Sequence, residues 1–213
     1  MDLFGDTQKP DWTQFEELAL RQGYNCVAGI DEAGRGALAG PVVAAAVVFP
    51  RGAEIPGIND SKKLTPAKRE ELFGLILEKA IAVGIGSGDH LLIDRVNILQ
   101  ATLIAMKEAV LEISPSPDYL LIDGISKIPI AIHQRTIKKG DSASISIAAA
   151  SIIAKVTRDR LMADFDRQYP GYGFAEHKGY GCAAHMEAIA RLKPCTIHRK
   201  TFRGVKEHVQ GER

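Results

Sequence analysis

The sequence predicts an α/β fold in which helices flank a mixed β-sheet. Apolar runs of strand length alternate with longer segments whose apolar residues recur at helical spacing, and no segment is repeated. Two of these runs, 26–30 and 42–49, are joined by a short glycine-rich segment, so we expect them to pair as a hairpin. A sheet that holds this hairpin together with the helix-connected strands of the later chain is mixed.

Length and composition indicate one globular unit. The 213 residues suffice for a single domain over 1–213, with a helical and basic C-terminal segment from about 170 to 213. Hydrophobic residues make up 46% and charged residues 25%, which excludes a disordered or fibrous chain. The N-terminus has no signal-peptide pattern, and no apolar run approaches the ~20 residues of a membrane span, so we expect a cytoplasmic protein. Three scattered cysteines do not describe a disulfide framework.

Local patterns predict the elements of the first half of the chain. A short helix is predicted from Trp12 to Gln22, and the two strands of the hairpin follow it. The next helix begins with Thr65 as its N-cap and Pro66 at its first helical position. A third strand is predicted over 81–87, where glycines weaken the pattern, and we expect it to be covered on both faces.

The second half continues the alternation. A long amphipathic helix, or a pair of helices, is predicted over about 92–113. A short buried strand over 119–124 ends in Asp-Gly, and another strand is predicted over 128–137. A helix rich in small residues runs from Ser144 to about 168, where it can pack closely on the sheet, and a last helix covers about 182–191.

Carboxylates end or follow the predicted strands and adjoin glycine or serine; they are Asp31, Glu32, Asp123 and Asp141. A solvated loop is the ordinary place for an arbitrary Asp-Glu pair, but glycines let the backbone approach a ligand and change that expectation. If the four carboxylates converge, they would bind two Mg²⁺ or Mn²⁺ ions ~4 Å apart, an arrangement that hydrolyses phosphodiesters. Because neighbouring side chains of a strand face opposite sides, we expect Gly34 and Gly36 to bend the chain there.

The basic residues leave two interpretations open. A C-terminal cluster is either a solvated face or a set of phosphate contacts, and it consists of Arg199, Lys200, Arg203 and Lys206. Lys62 likewise faces a phosphate or is a surface lysine. Two other functions compete with a nuclease. One is a nucleotide-binding ATPase built on Gly34, Gly36 and Gly40, although no phosphate-loop motif occurs. The other is a nucleic-acid-binding protein without catalysis, which the four acids oppose.

Two Cys-x-x-His pairs resemble the ligand spacing of a zinc site. They are Cys182 with His185 and Cys195 with His198. A free cysteine is more commonly a small buried apolar residue, and the family resemblance described below favours that interpretation.

A series of motifs between Val27 and Phe202 resembles bacterial ribonuclease HII, the type 2 ribonuclease H. In chain order they read GIDEAGRGALAGPVVAAAV, NDSKKL, IDRVNILQAT, LLIDG, KKGDSAS, AAASIIAKVTRDR, YGFAEHKGY and IHRKTF. The resemblance implies a single ribonuclease-H-like catalytic domain with a mixed five-stranded sheet flanked by helices and a helical C-terminal part. It also implies an endonuclease, expected to be monomeric, that acts on RNA–DNA hybrids and on ribonucleotides embedded in DNA. Two-metal-ion hydrolysis would leave 5′-phosphate and 3′-hydroxyl ends.

The resemblance also assigns roles to individual residues. The catalytic and metal-binding acids would be Asp31, Glu32, Asp123 and Asp141. Substrate would be bound by Lys62, by Gly34, Arg35 and Gly36, whose loop senses the ribose 2′-hydroxyl, and by Tyr180, which stacks at the junction between ribonucleotide and deoxyribonucleotide. The sequence departs from the family pattern at Cys182, where threonine is common, and at Lys193, where glycine often precedes the proline.

Overall fold

The computed structural model describes residues 12–209 and contains one five-stranded sheet in the order β3-β2-β1-β4-β5. The strands are β1 Val27–Ala33, β2 Val42–Val48, β3 Ala82–Gly88, β4 Tyr119–Asp123 and β5 His133–Ile137. Strands β1 and β2 are antiparallel, as are β2 and β3, whereas β4 runs parallel to both β1 and β5. The predicted mixed sheet with an internal hairpin is therefore confirmed.

Helices lie on both faces of this sheet. Within residues 12–209 the α-helices are α1 Gln14–Arg21, α2 Pro66–Lys79, α3 His90–Val96, α4 Ile98–Leu111, α5 Ile145–Gln168, α6 Phe174–His177, α7 Ala183–Leu192 and α8 Lys206–Val209. Two 3₁₀ helices, Ser61–Lys63 and Gly140–Ser142, lie near the ends of the strands. The predicted Thr65 cap is confirmed, because the Thr65 side chain accepts a hydrogen bond from a backbone N–H of α2. Ser144, predicted as the start of α5, caps that helix in the same way.

Two apolar layers fill the space between the sheet and its helices. On one face Ala28 and Ile30 of β1 pack with α4, and on the other face Ala45 and Val47 of β2 pack with α2 and α5. Alanine and glycine allow close approach: a Cβ added at Gly84 of β3 would lie 2.0 Å from a backbone oxygen of α4. The glycines of β3 are therefore packing positions that let the helix contact the strand backbone.

Of the two alternatives predicted for the segment 92–113, the pair of helices is confirmed, since Asn97, with a φ of 71° and a side-chain cap on α4, ends one helix and begins the next. Two other predictions about elements need correction. Residues 128–132 are not part of β5, because the Gln134 side chain satisfies backbone groups there and replaces strand pairing. Strand β3 is an edge strand with alternating exposure, so the expected cover on both faces is wrong.

The C-terminal segment folds back onto the loop that joins β1 to β2. Isolated bridges pair Ala37 with Tyr180 and Ala39 with His198, and α6 packs on α5. This contact places residues far apart in sequence around residues 34–41. In the described part of the chain, no helix has the length and apolar character needed to cross a membrane.

Candidate active site

The acidic residues meet at one end of the central strands. Asp31 and Glu32 lie inside β1, which continues to Ala33, so the expectation that they end or follow the strand is wrong. Strand β4 runs parallel to β1 and ends at Asp123. Since parallel neighbours end at the same edge of a sheet, Asp123 comes beside the acidic pair of β1.

Asp31 and Glu32 reach one cleft from opposite faces of β1. Gly29 contacts α5, and Ile30 belongs to the layer packed with α4, so alternation directs Asp31 toward α5 and Glu32 toward the other face. Both nevertheless line a cleft of about 230 Å³ because it opens across the end of the sheet. The expected bend occurs only after β1, at Gly34, whose φ is 95°.

Asp141 joins this group through the 3₁₀ helix that follows β5. The backbone N–H of Gly140 donates to Asp123 Oδ1 at 2.7 Å, which ties the turn to the end of β4. Asp141 is only 5% exposed, and its Oδ2 lies 3.2 Å from Lys62 Nζ. Of the nine residues assigned to the site from sequence, all except Asp141 line the cleft, and Asp141 contacts one residue that does.

Burial and mutual repulsion raise the pKa values of Asp31, Glu32 and Asp123. Burial raises the pKa of Asp31 well above its ordinary value, and the charges of Glu32 and Asp123 raise it further. Burial also raises the pKa of Glu32, although Arg35, 3.2 Å away, lowers it in part. Burial raises the pKa of Asp123, and the hydrogen bond from the Gly140 N–H lowers it in part. The cluster therefore carries more buried negative charge than Lys62 and Arg35 neutralise.

This donor set has the chemistry that a hard divalent cation requires. All four groups present carboxylate oxygens, the ligands that Mg²⁺ and Mn²⁺ prefer. Burial and mutual repulsion raise the pKa values of Asp31, Glu32 and Asp123, and a bound cation would offset both effects. As the side chains stand within residues 12–209, no three His, Cys, Asp or Glu groups are gathered closely enough to hold a metal ion. Asp141 pairs with Lys62 and Glu32 pairs with Arg35.

Sequence reasoning missed three polar residues of the cleft: Ser61, Ser151 and Lys155. The Ser61 and Ser151 hydroxyls are 2.8 Å apart, and a hydrogen bond from Ser151 lowers the pKa of Asp31, opposing the effect of burial. Ser151 and Lys155 are four residues apart on α5, so they share one helix face. This spacing of two polar residues in a helix rich in small residues is the sequence feature that could have indicated their place in the cleft.

Two fully buried arginines hold the loop that follows β1. Arg199 donates to the backbone oxygens of Gly34, Arg35 and Gly40 at 2.7, 2.8 and 3.0 Å. Arg158 donates to three further carbonyls, those of Ala39, Pro41 and Lys178.

The buried position of Arg199 corrects the expectation that it contacts phosphate. Burial, with repulsion from Arg158, lowers the pKa of Arg199 to about 9, so it stays protonated at neutral pH. Its exposed neighbours Lys200, Arg203 and Lys206 remain available to a polyanion.

Tyr180 lies at the rim of the cleft, above the cations of α5. Its ring centroid is 5.9 Å from Lys155 Nζ and 5.3 Å from the Arg158 guanidinium carbon, and the residue is 37% exposed. An aromatic ring held in this way presents an open face to a ligand in the cleft.

The Tyr180 backbone is anchored through two buried histidines. Cys195 N–H donates to His198 Nδ1 at 3.0 Å, which makes His198 Nε2 the donor to His185 Nε2 at 3.1 Å, and His185 Nδ1 then donates to the Tyr180 oxygen at 3.0 Å. Burial lowers the pKa of each histidine to about 4. These nitrogens are engaged in hydrogen bonds and Cys182 is exposed, so the zinc interpretation of the Cys-x-x-His pairs gains no support from the described residues.

Comparisons with known proteins agree on one family. The family model described as Ribonuclease HII matches residues 28–205. A Ribonuclease HII of Geotalea uraniireducens is 68% identical over 100% of this chain and 98% of its own length. One of Geobacter metallireducens is 67% identical over 98% of each chain.

Solved structures extend the likeness to the fold. Ribonuclease H2 of Pyrococcus horikoshii has a TM-score of 0.73 at 25% identity, covering 87% of this chain and 98% of that one. The ribonuclease HII in a PCNA complex from Archaeoglobus fulgidus has a TM-score of 0.70 at 26% identity and covers 84% and 96%. A Bst-RNase HIII solved with Mn²⁺ has a TM-score of 0.69 at 25% identity and covers 87% and 69%.

Proposed function

Since the chain belongs to the ribonuclease HII family and is a ribonuclease H that cleaves the RNA strand of RNA–DNA hybrids, we propose that it also incises DNA at embedded ribonucleotides. We further propose that hydrolysis uses two divalent ions and leaves 5′-phosphate and 3′-hydroxyl ends. The observation that carries the proposal is the convergence of four carboxyl groups, two buried and two half-buried, at one end of the sheet, beside a loop of backbone groups and an aromatic ring.

In this proposal the acids hold the cations. Asp31, Glu32, Asp123 and Asp141 would bind Mg²⁺ or Mn²⁺, after Asp141 and Glu32 exchange their ion pairs with Lys62 and Arg35 for the metal. The bound ions supply a lowered pKa for the attacking water and positive charge for the leaving oxygen. Lys62, released from Asp141 but held beside the cleft by the 3₁₀ helix Ser61–Lys63, would then neutralise a phosphate of the substrate.

The remaining residues of the cleft would recognise the sugar. Gly34, Arg35 and Gly36 place backbone beside the acids, where main-chain groups can approach a ribose 2′-hydroxyl. Tyr180, 37% exposed, would stack on the deoxyribose that follows the ribonucleotide. One hydroxyl supplies only about 1–3 kcal/mol in binding, so we expect discrimination against DNA to appear in the chemical step.

We propose that the chain acts as a monomer, because one copy supplies all nine residues assigned to the site. Light scattering at the concentrations used for catalysis measures this.

A labelled DNA duplex with one ribonucleotide tests the proposed function. We expect cleavage of this duplex and of an RNA–DNA hybrid with Mg²⁺ or Mn²⁺, and none of an all-DNA duplex or in the presence of EDTA. Phosphatase and ligase treatment of the products reports the two ends. A matched Asp123→Asn preparation excludes a contaminating nuclease.

Cleavage of the hybrid alone would refute incision at embedded ribonucleotides while leaving the hybrid activity in place. Cleavage that survives EDTA would refute the metal mechanism. The dependence of rate on metal concentration, second order if two ions are needed, tests the number of ions.

A further inference from the structure

Arg199 is a buried cation whose side-chain hydrogen bonds within residues 12–209 are all to backbone oxygens. The residue is 0% exposed, and within residues 12–209 no carboxylate forms an ion pair with it. Its Nη1 donates to the Arg35 oxygen at 2.8 Å, its Nη2 to the Gly34 oxygen at 2.7 Å, and its Nε to the Gly40 oxygen at 3.0 Å. Three donors of one planar group thus fix three carbonyls of the loop between β1 and β2.

These contacts also determine where the loop N–H groups point. In a planar trans peptide the N–H lies opposite the C=O of the same unit. Because the Gly34 and Arg35 oxygens turn inward to Arg199, the N–H groups of Arg35 and Gly36 turn outward. Residues 34–36 line the acidic cleft, and neither N–H has an acceptor within residues 12–209.

We propose that Arg199 is a positioning residue of the ribonuclease reaction, which holds the peptide units 34–35 and 35–36 with their N–H groups directed at the sugar or phosphate of the scissile ribonucleotide. The inference rests on the proposed function, since it concerns the same cleft. It adds a residue from the C-terminal segment, 164 positions from Arg35, that touches no substrate and acts through the loop backbone.

The planar fork of arginine is the feature that this role requires. A lysine at position 199 keeps the positive charge but has a single nitrogen, which cannot span the oxygens of Gly34, Arg35 and Gly40 together. Arg158 is the contrasting case, because it is equally buried but donates to Ala39, Pro41 and Lys178 instead. A buried positive charge alone therefore does not orient residues 34–36.

Arg199→Lys, measured beside Val205→Ala, tests the proposal. Val205 lies in the same C-terminal segment and is 0% exposed, but it packs with Leu38 and Ile189 and donates no hydrogen bond to the carbonyls of Gly34 or Arg35. Both substitutions lower Tm. We expect Arg199→Lys to lower kcat on the duplex with one ribonucleotide at least about tenfold, with KM changed less than about twofold. Val205→Ala, assayed equally far below its own Tm, should keep the wild-type kcat.

A second measurement follows the loop itself in the wild-type chain. With Ca²⁺ in place of Mg²⁺, the duplex with one ribonucleotide should shift the amide resonances of Arg35 and Gly36 more than an all-DNA duplex does. In Arg199→Lys without nucleic acid, these two resonances should move from their wild-type positions, whereas in Val205→Ala they should stay.

Three outcomes would overturn the positioning role. They are a wild-type kcat in Arg199→Lys, an equal loss of kcat in Val205→Ala, and amides of Arg35 and Gly36 that respond equally to both duplexes in the wild type. The last measurement needs no variant. If Arg199→Lys does not fold, it still tests whether the N–H groups of Arg35 and Gly36 face the ribonucleotide, as the positioning role requires. Failure of the proposed function is distinct, since the wild-type enzyme would then leave the duplex with one ribonucleotide uncut.

Discussion

Two regions with buried charged groups meet at the loop after β1. They differ in whether neighbouring groups compensate that charge. On one side, Asp31, Glu32 and Asp123 repel one another, and burial raises the pKa of each. On the other side, the positive charges of Arg158 and Arg199 are dispersed over six backbone carbonyl groups.

The difference indicates which region needs a ligand. A buried charge is costly unless it is paired or hydrogen-bonded, and the arginines meet that requirement within the protein. The acids do not, because Lys62 and Arg35 are two cations against four carboxyl groups. We therefore propose that the acidic side binds a cation, whereas the arginine side holds the loop in place.

The largest expected effect comes from removing charge on the acidic side. Asp31→Asn or Asp123→Asn keeps the side-chain shape but loses a metal ligand, and we expect cleavage to fall on the order of 10³-fold. Tm in EDTA should rise, because the repulsion that raises the pKa of Asp31 is relieved. Cleavage and melting curves measure the two effects. Wild-type cleavage at millimolar Mg²⁺ would contradict the metal assignment of the substituted residue.

Exposed and buried cations should differ in their effect on salt dependence. Lys200, Arg203 and Lys206 are exposed, and replacing them with glutamine should flatten the log–log salt slope of duplex binding by up to about 2.7, at about 0.9 per phosphate. Arg199→Lys is the control and should leave the slope unchanged, since Arg199 is 0% exposed. Fluorescence anisotropy between 50 and 200 mM salt measures the slope. If the triple variant keeps the wild-type slope, the tail is only a solvated face.

Tyr180 lies between the two regions, and its loss should separate activity from stability. Because the ring is partly exposed, Tyr180→Ala should lower Tm little while reducing cleavage at a lone ribonucleotide in DNA about tenfold. Tyr180→Phe keeps the stacking face and should retain most of the activity. Rates on the lone-ribonucleotide duplex and on an RNA–DNA hybrid, compared with Tm, provide the measurement. Full activity of Tyr180→Ala on the lone ribonucleotide would contradict the assignment of Tyr180 to the site.

The smallest effect is a pH dependence near the arginines. Burial lowers the pKa of His198 from 6.5 to about 4, so between these values the unfolded chain binds a proton that the folded chain does not. Stability is then lost as pH falls through this window, by about 1 kcal/mol per ring between pH 6.5 and 5.5.

Melting of His198→Gln beside the wild type tests this. The Tm of the variant should fall less over that interval, by about 3 °C. A parallel decline in both proteins would place the acid sensitivity elsewhere.

Interactions within short segments were predictable from the sequence. Thr65, Pro66 and Ser144 were placed correctly at helix starts, because a cap depends on residues within one turn. The acids were identified as a group because each lies near a strand end next to glycine or serine. The residues after Val27 also carried enough of the family pattern to predict the fold class and the ribonuclease activity, both of which are confirmed.

Elements that depend on distant partners were predicted less well. The glycines of β3 looked like weaknesses of a strand, but they are contacts to α4. The segment 128–132 looked like a strand, but the Gln134 side chain takes its hydrogen bonds. Lys193 departs from the family glycine, and its φ of 63° shows the left-handed backbone that glycine would favour there.

By itself the sequence determined the α/β class, the order of the five strands and a candidate set of acids, because hydrophobic period, caps and carboxylates near strand ends are local properties. Only the tertiary structure decided that Arg199 is a buried clamp on the loop and that Ser151 and Lys155 line the cleft. A charged residue's role depends on whether water or backbone carbonyls surround it, and that is set by segments more than a hundred residues away.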